Sequence, residues 1–213
     1  MSSTFIKTSF GDARIISHQH EKKVVAFITH GAGKGLSSID LASTIHHLDN
    51  QGVSIVGVEM PWLVLGKKIA SPAAQLDQVW IEVIESLNTR YADYKKIFIG
   101  RSTGARVICR TANICNPNLI IALAFPLKAP NGKSREHELN DALDKNFEVI
   151  VIQGQKDTFG SADEIKRIIR QRNNLEIIDA GALTHKLSND MGEIVVKALI
   201  KKGLLNQQGS VGI

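Results

Sequence analysis

The sequence predicts an α/β fold with a mostly parallel sheet and helices on both faces. Short apolar runs alternate along the chain with longer segments of helical periodicity, which is the order typical of such folds. The central runs are apolar throughout, as in strands that are covered on both sides. The first two strand-like runs, 4–9 and 13–18, are separated only by Phe-Gly-Asp, which predicts an antiparallel hairpin.

The other strands and the helices are predicted from periodicity. Strands are expected at 24–29, 53–59, 96–100, 119–125, 147–154 and 175–180. Helices are expected at 37–50, 72–90, 103–115, 161–172 and 188–203. Ser161 and Glu164 form a capping box at the start of one of them. Two irregular stretches, 60–71 and 126–141, leave strands at the edge where ligands bind, so we expect pocket walls there.

Composition limits the class of protein. With 213 residues and a net charge of +5, the chain is expected to form a single domain, 1–213, with a loosely ordered tail at 204–213. The basic residues are dispersed and few aromatics lie among them, which disfavours nucleic-acid binding. No signal peptide and no membrane helix is indicated, and Cys109 and Cys115 are expected to be buried free thiols. A cytoplasmic location is therefore expected.

The segment Phe27–Gly35 joins a strand to a glycine-rich loop, for which two uses are known. Such a loop brings backbone close to a pyrophosphate in dinucleotide-binding proteins, or directs N–H groups at an oxyanion in serine hydrolases. The dinucleotide fingerprint needs a small residue at position 36, where this chain has Leu36, and no GK[ST] pattern occurs. Nucleotide binding is disfavoured, and no organic cofactor is expected.

The pentapeptide Gly100–Gly104 has the G-x-S-x-G pattern of a nucleophile elbow. The pattern alone is weak evidence, but a predicted strand precedes it and a predicted helix follows it. A serine on this sharp turn projects from the sheet, and the flanking glycines allow the strand and helix to approach closely. Ser102 is therefore the predicted nucleophile.

A serine nucleophile needs a base, and the base needs an orienting acid. In this fold the acid and then the histidine follow the serine, each after a late strand. Asp157 and His185 satisfy that order and lie in strand-end loops, so they are the predicted acid and base. Simpler alternatives are a turn aspartate and a surface histidine; Asp163 lies in a first helical turn, where it complements the helix dipole.

The serine-hydrolase interpretation gives the glycine-rich loop a role. The tetrahedral intermediate of acyl transfer carries a negative oxygen that needs about two N–H donors. One donor is predicted to be the backbone of Thr103, directly after the nucleophile. The other is expected from the loop after the earlier strand, where Ala32 is the first choice and Gly33 the second.

Several longer segments carry a resemblance to a known family: THGAGKG, EMPWLVLGKK, GRSTGARV, FPLKAPNGKSREHEL, VIQGQKDTFGSADE and THKL. The chain resembles small α/β-hydrolases related to dienelactone hydrolases, in particular the subfamily of predicted α/β-hydrolases that includes testis-expressed and histone-acetyltransferase-complex homologues of animals. The resemblance implies an α/β-hydrolase fold without a separate cap domain. It implies Ser102, Asp157 and His185 as nucleophile, acid and base. Some relatives are scaffold subunits, so a non-catalytic adaptor is the alternative function.

The acyl substrate is expected to be a small molecule bound in a pocket at the same edge. His30, at a strand end, is expected to support the oxyanion loop, whereas Trp62 and Leu63 fit either a pocket wall or the core. The residues assigned to the pocket are His30, Trp62, Leu63, Arg101, Pro126, His137 and Phe159.

A metal site is not expected from the sequence. His18 and His20 share one face of a predicted strand, as two metal ligands would. No third ligand is evident near them in the sequence, and the oligomeric state is not predicted.

Overall fold

The computed structural model describes residues 1–170 and 172–206, which form an eight-stranded sheet. The strand order is β1-β2-β4-β3-β5-β6-β7-β8. β1 and β2 form an antiparallel hairpin, β2 pairs antiparallel with β4, and every later neighbour is parallel. The strands are Ser2–Thr8, Gly11–His18, Val24–Thr29, Ser54–Glu59, Lys95–Arg101, Leu119–Leu123, Val149–Gln153 and Leu175–Asp179, numbered β1 to β8. The predicted fold class is confirmed.

Seven α-helices accompany the sheet within the described residues. They are Ile39–Asn50, Pro61–Val64, Ala73–Leu87, Thr103–Cys115, Glu136–Asp144, Ala162–Ile168 and Met191–Lys201, numbered α1 to α7. Two of them, α2 and α5, lie in the stretches that were expected to be irregular. The prediction for 161–172 was too long, because α6 ends at Ile168 and Ile169 adopts an extended conformation while its side chain is buried.

The central strands divide their side chains between two cores. On β3, Val25 and Phe27 join the core that contains residues of α3, α4 and α5. Ala26 and Ile28 alternate with them and join the opposite core, which contains residues of α1 and α7. This period-2 alternation buries every residue of β3 and explains its continuous apolar sequence.

The end of the described chain and the two cysteines lie in these cores. Leu205 is 4% exposed in the core beside α7, and Leu204 N–H donates to Leu199 O, so the predicted loose tail is docked where it begins. Residues 207–213 of that tail lie outside the described residues.

Cys109 and Cys115 are free and buried, and burial raises the pKa of each thiol to about 12. No helix in the described part of the chain combines the length and apolarity needed to cross a membrane.

Candidate active site

Ser102 lies on a strained turn between β5 and α4. Its backbone has φ 52° and ψ −109°, which is a conformation that non-glycine residues rarely adopt. A Cβ on Gly100 would lie 2.4 Å from the backbone of Gly104, and one on Gly104 would lie 2.8 Å from Thr29 O. Both glycines are therefore required sterically, because strand and helix meet at backbone distance.

His185 and Asp157 form a hydrogen-bonded chain with Ser102. Ser102 Oγ lies 2.8 Å from His185 Nε2, and His185 Nδ1 lies 2.8 Å from Asp157 Oδ2. The three residues lie in the loops after β5, β7 and β8, at the edge of the sheet where the parallel strands have their carboxyl ends, as expected from their order in the chain. Since the carboxylate accepts from Nδ1–H, the lone pair of Nε2 faces the serine hydroxyl. This is the tautomer that a general base needs.

Asp157 is held by donors that the sequence did not reveal. Gln153 Nε2 donates to Asp157 Oδ2 at 2.9 Å and to Gly160 O at 2.6 Å. Phe159 N–H donates to the other oxygen, Oδ1, at 2.9 Å. The Asp157 side chain is 0% exposed, so its orientation is fixed by these bonds together with His185.

Arg101 connects the histidine loop to α1. Its Nε donates to Asp40 Oδ2 at 3.0 Å, and its Nη2 donates to the carbonyl oxygen of His185 at 2.9 Å. Asp40 is 2% exposed and lies in the first turn of α1. The sequence placed Arg101 in the pocket; the structure shows in addition that its guanidinium supports the backbone of His185.

The glycine loop lies directly beside the elbow. A Cβ added to Gly31 would lie 3.0 Å from Ser102 Cβ, and Gly33 has a φ of 114°, which favours glycine. The Thr103 N–H is in the first turn of α4, where backbone donors have no partner within the helix. Among the described residues, neither Ala32 N–H nor Thr103 N–H donates to a protein acceptor, which leaves both available to a ligand.

His30 is a buried support for this loop and not part of a pocket wall. It is 2% exposed; its Nδ1 donates to Gly31 O at 2.8 Å, and its Nε2 accepts from Met60 N–H at 3.0 Å. Burial lowers its pKa, so the imidazole is neutral at neutral pH. Trp62, whose ring centroid is 5.6 Å from that of His30, is 3% exposed and belongs to the core. His30 and Trp62 therefore have almost no exposed surface to offer a substrate.

The remaining predicted pocket residues differ in position. The rings of Phe159 and His185 pack in a T-shaped arrangement with centroids 4.8 Å apart, and Leu63 lines a surface cavity with Gly33. Pro126 is buried and His137 is exposed on α5. Within the described residues, neither side chain forms a hydrogen bond or ring contact with Ser102, Asp157 or His185. A second cavity, of about 440 Å³, lies beside the glycine loop and is lined by Ala32, Gly33, Lys34, Ser38, Ile39, Asp40, Arg101, Lys186 and Leu187.

A model of the alpha/beta hydrolase domain family matches residues 22–201. The chain belongs to this family. Comparison with curated protein sequences gave no match.

Several solved structures share the fold at low sequence identity. A serine hydrolase without a lid from Xanthomonas campestris has a TM-score of 0.74 at 13% identity, over 97% of this chain and 96% of the other. A serine hydrolase homologue from Coxiella burnetii has a TM-score of 0.75 at 14% identity, over 95% and 97%. Est1E from Butyrivibrio proteoclasticus, with ferulic acid bound, has a TM-score of 0.70 at 14% identity, over 94% and 98%.

Behind the elbow of this α/β hydrolase lies a charged network that sequence analysis missed. Glu138 of α5 accepts two hydrogen bonds of 2.6 Å from Arg106 and lies 3.1 Å from Arg110, both on α4. Arg110 in turn forms two bonds with Asp77 of α3. Burial alone would raise the pKa of Glu138, but the two arginines hold it below its ordinary value. The network joins three helices on the face behind Ser102.

Proposed function

We propose that the protein is a serine hydrolase that cleaves ester-like acyl substrates through an acyl-enzyme. The observation that carries the proposal is the continuous chain Ser102–His185–Asp157, with both hydrogen bonds at 2.8 Å. It sits on a turn whose strain and steric contacts serve to present a nucleophile. Membership of the α/β hydrolase family supports hydrolysis in general.

The proposed reaction begins at the serine hydroxyl. His185 Nε2 removes the proton as Ser102 Oγ attacks the carbonyl carbon, and Asp157 stabilises the resulting imidazolium. Collapse of the tetrahedral intermediate breaks the bond to the leaving group, which takes the proton from His185. A water molecule, deprotonated by the same imidazole, then hydrolyses the acyl-enzyme and restores Ser102. No metal or organic cofactor takes part in these steps.

The negative oxygen of the intermediate would be bound by the backbone. Thr103 N–H and a donor from the glycine loop, Ala32 or else Gly33, fit this role because these N–H groups have no backbone acceptor within the described residues and the loop approaches Ser102 at Gly31. One such donor is worth roughly 2.7–4 kcal/mol in the transition state. The cavity beside the loop is the proposed site for part of a small-molecule substrate.

The proposal is tested with a fluorophosphonate probe, which reacts with activated serines. The folded wild-type protein should be labelled, Ser102→Ala should not, and Ser161→Ala should be labelled like the wild type. Folding of each variant is checked by circular dichroism. Absence of labelling in the folded wild type, or labelling that survives Ser102→Ala, overturns the proposal. A series of p-nitrophenyl esters of increasing acyl length then measures substrate preference.

The alternative function is a non-catalytic adaptor that retains the fold. It predicts an intact elbow with displaced partner residues. The 2.8 Å separation of Ser102 Oγ and His185 Nε2 does not favour this alternative. An unlabelled but correctly folded protein in the probe experiment would favour it.

A further inference from the structure

A cluster of two histidines and one aspartate lies at the opposite edge of the sheet from Ser102. His18 Nδ1 is 2.6 Å and His20 Nε2 is 2.9 Å from the same oxygen, Asp49 Oδ1. The three ligand atoms lie within 4.8 Å of one another. The sequence showed the two histidines, and the fold supplies the third ligand from a helix 29 residues further along.

The spacing of these atoms is close to that of a coordination site. Tetrahedral ligands at 2.0–2.1 Å from Zn²⁺ lie about 3.3 Å from each other. The two N···O distances of 2.6 and 2.9 Å therefore need to increase by less than about 1 Å, which small side-chain rotations supply. Both histidine nitrogens already point at the carboxylate oxygen, so the lone pairs converge once the protons are displaced.

Each ligand is attached to a fixed part of the fold. His18 ends β2 and pairs with Ile55 of β4, and Asp49 lies in the last turn of α1. His20 lies in the following loop, where its N–H donates to Ser54 Oγ at 2.9 Å. Sites supported by strands and helices hold their ligands in place before the metal binds.

Charge and access also suit a cation. Asp49 supplies a carboxylate oxygen, which is a donor that divalent metal ions accept. The side chains of His18, His20 and Asp49 are 43%, 26% and 23% exposed. One side of the cluster thus faces water, which can fill a fourth coordination position.

We propose that His18, His20 and Asp49 form a binding site for a divalent first-row metal ion, with Zn²⁺ as the ion that this ligand set suits. Two imidazoles and one carboxylate match the donor preference of Zn²⁺. Bound metal would join the end of β2 and its following loop to the end of α1. The site is structural, because it lies at the amino ends of the parallel strands, away from the elbow.

Isothermal titration of the metal-free protein with Zn²⁺ tests the proposal. Wild type should bind one ion at this site, and His20→Gln and Asp49→Asn should each weaken binding by more than about tenfold. His137→Gln, which removes an exposed histidine of α5, is the matched control and should bind like wild type. Co²⁺ added in place of Zn²⁺ should give visible absorption bands typical of tetrahedral coordination in the wild type and not in Asp49→Asn.

Thermal unfolding separates metal binding from the loss of hydrogen bonds within the cluster. Since Asp49→Asn removes the negative charge that strengthens those bonds, with or without metal, the quantity compared is the increase in Tm on adding Zn²⁺. The increase should be present in wild type and His137→Gln and absent in both cluster variants. No measurable Zn²⁺ binding by the wild type, or equal binding by the cluster variants, overturns the proposal.

Discussion

The two edges of the sheet use the same residue types in different ways. At the carboxyl edge, one nitrogen of His185 contacts Asp157 and the other faces Ser102, so the three groups form a line. At the amino edge, two histidines converge on one oxygen of Asp49 and form a cluster around a point. A linear chain can move a proton, whereas convergent ligands can enclose a cation. Geometry, and not the presence of His and Asp, separates the two chemistries.

The surroundings of the two aspartates differ as well. Asp157 is fully buried and accepts hydrogen bonds from Gln153 and from the Phe159 backbone in addition to His185. Asp49 is 23% exposed, and its side-chain partners in the described chain are the two histidines. The first carboxylate therefore has one fixed orientation, and the second has room to accommodate a metal.

The largest expected effect is a difference in kcat/KM between the same substitution at the two aspartates. Asp157→Asn should lower kcat/KM for a p-nitrophenyl ester by about 10⁴-fold, because an amide at this position favours the wrong tautomer of His185. Asp49→Asn, the same change at the amino edge, should leave kcat/KM within about twofold of wild type. Equal losses in the two variants would show that the edges are not functionally distinct.

The second effect concerns the charged network behind the elbow. Glu138→Gln should lower the free energy of unfolding by about 3 kcal/mol, because it leaves Arg106 partly buried without a carboxylate and Arg110 with Asp77 alone. We expect the low end of the range for buried pairs, since these arginine side chains retain 17% and 15% exposure. Urea unfolding measures the change, and Glu193→Gln on the exposed surface of α7 is the control, with a loss below about 0.5 kcal/mol.

The same network predicts a dependence of stability on pH. The pKa of Glu138 is lowered from 4.5 by its hydrogen bonds to Arg106 and the nearby charge of Arg110. The contribution of Glu138 to the free energy of unfolding is therefore fully present above 4.5, its pKa in the unfolded chain. It is lost as the pH falls below 4.5 and through the lower pKa of the folded state. Unfolding curves between pH 6 and about 3.5 should converge for wild type and Glu138→Gln; parallel curves would contradict this assignment.

The third effect tests the support of the buried carboxylate. Gln153→Met keeps the approximate shape but removes the donor to Asp157, so kcat/KM should fall by about 10- to 100-fold, the worth of a hydrogen bond to a charged group. Gln155→Met, two residues further on, is the control, because that side chain donates to the exposed Asp179. A loss of stability without a loss of kcat/KM would mean that Gln153 does not position Asp157.

The contrast between predicted and missed residues has a physical basis. Ser102, Asp157 and His185 could be predicted because each lies in a loop after a strand, and the order of strands brings such loops to one edge. Asp40 and Asp49 could not, since their partners lie in distant parts of the chain. Gln153 left one signal: it is a polar residue at the end of an otherwise apolar strand.

The secondary structure shows the same limit. Strands such as β3 were predicted with their observed bounds because their composition is uniform, whereas α5 was missed. Its nine residues bury only Glu138, Leu139, Ala142 and Leu143, and one of these is charged. The sequence does not show that Glu138 pairs with Arg106. A charged residue among the four buried positions therefore makes the apolar face of α5 difficult to recognise.

The smallest expected effect compares two serines at helix N-termini on the carboxyl edge. Ser161 Oγ accepts a hydrogen bond from Glu164 N–H at 3.1 Å, whereas Ser38 precedes α1 without a side-chain bond to the helix. Ser161→Ala should therefore cost about 1 kcal/mol of unfolding free energy, and Ser38→Ala only a few tenths. Chemical denaturation measures both.

Ser161→Ala should keep the kcat/KM of the wild type, because Gln153 and Phe159, and not the cap of α6, hold Asp157 in its hydrogen-bonded chain with His185 and Ser102. A parallel loss of activity would show that the carboxyl edge depends on the stability of that helix.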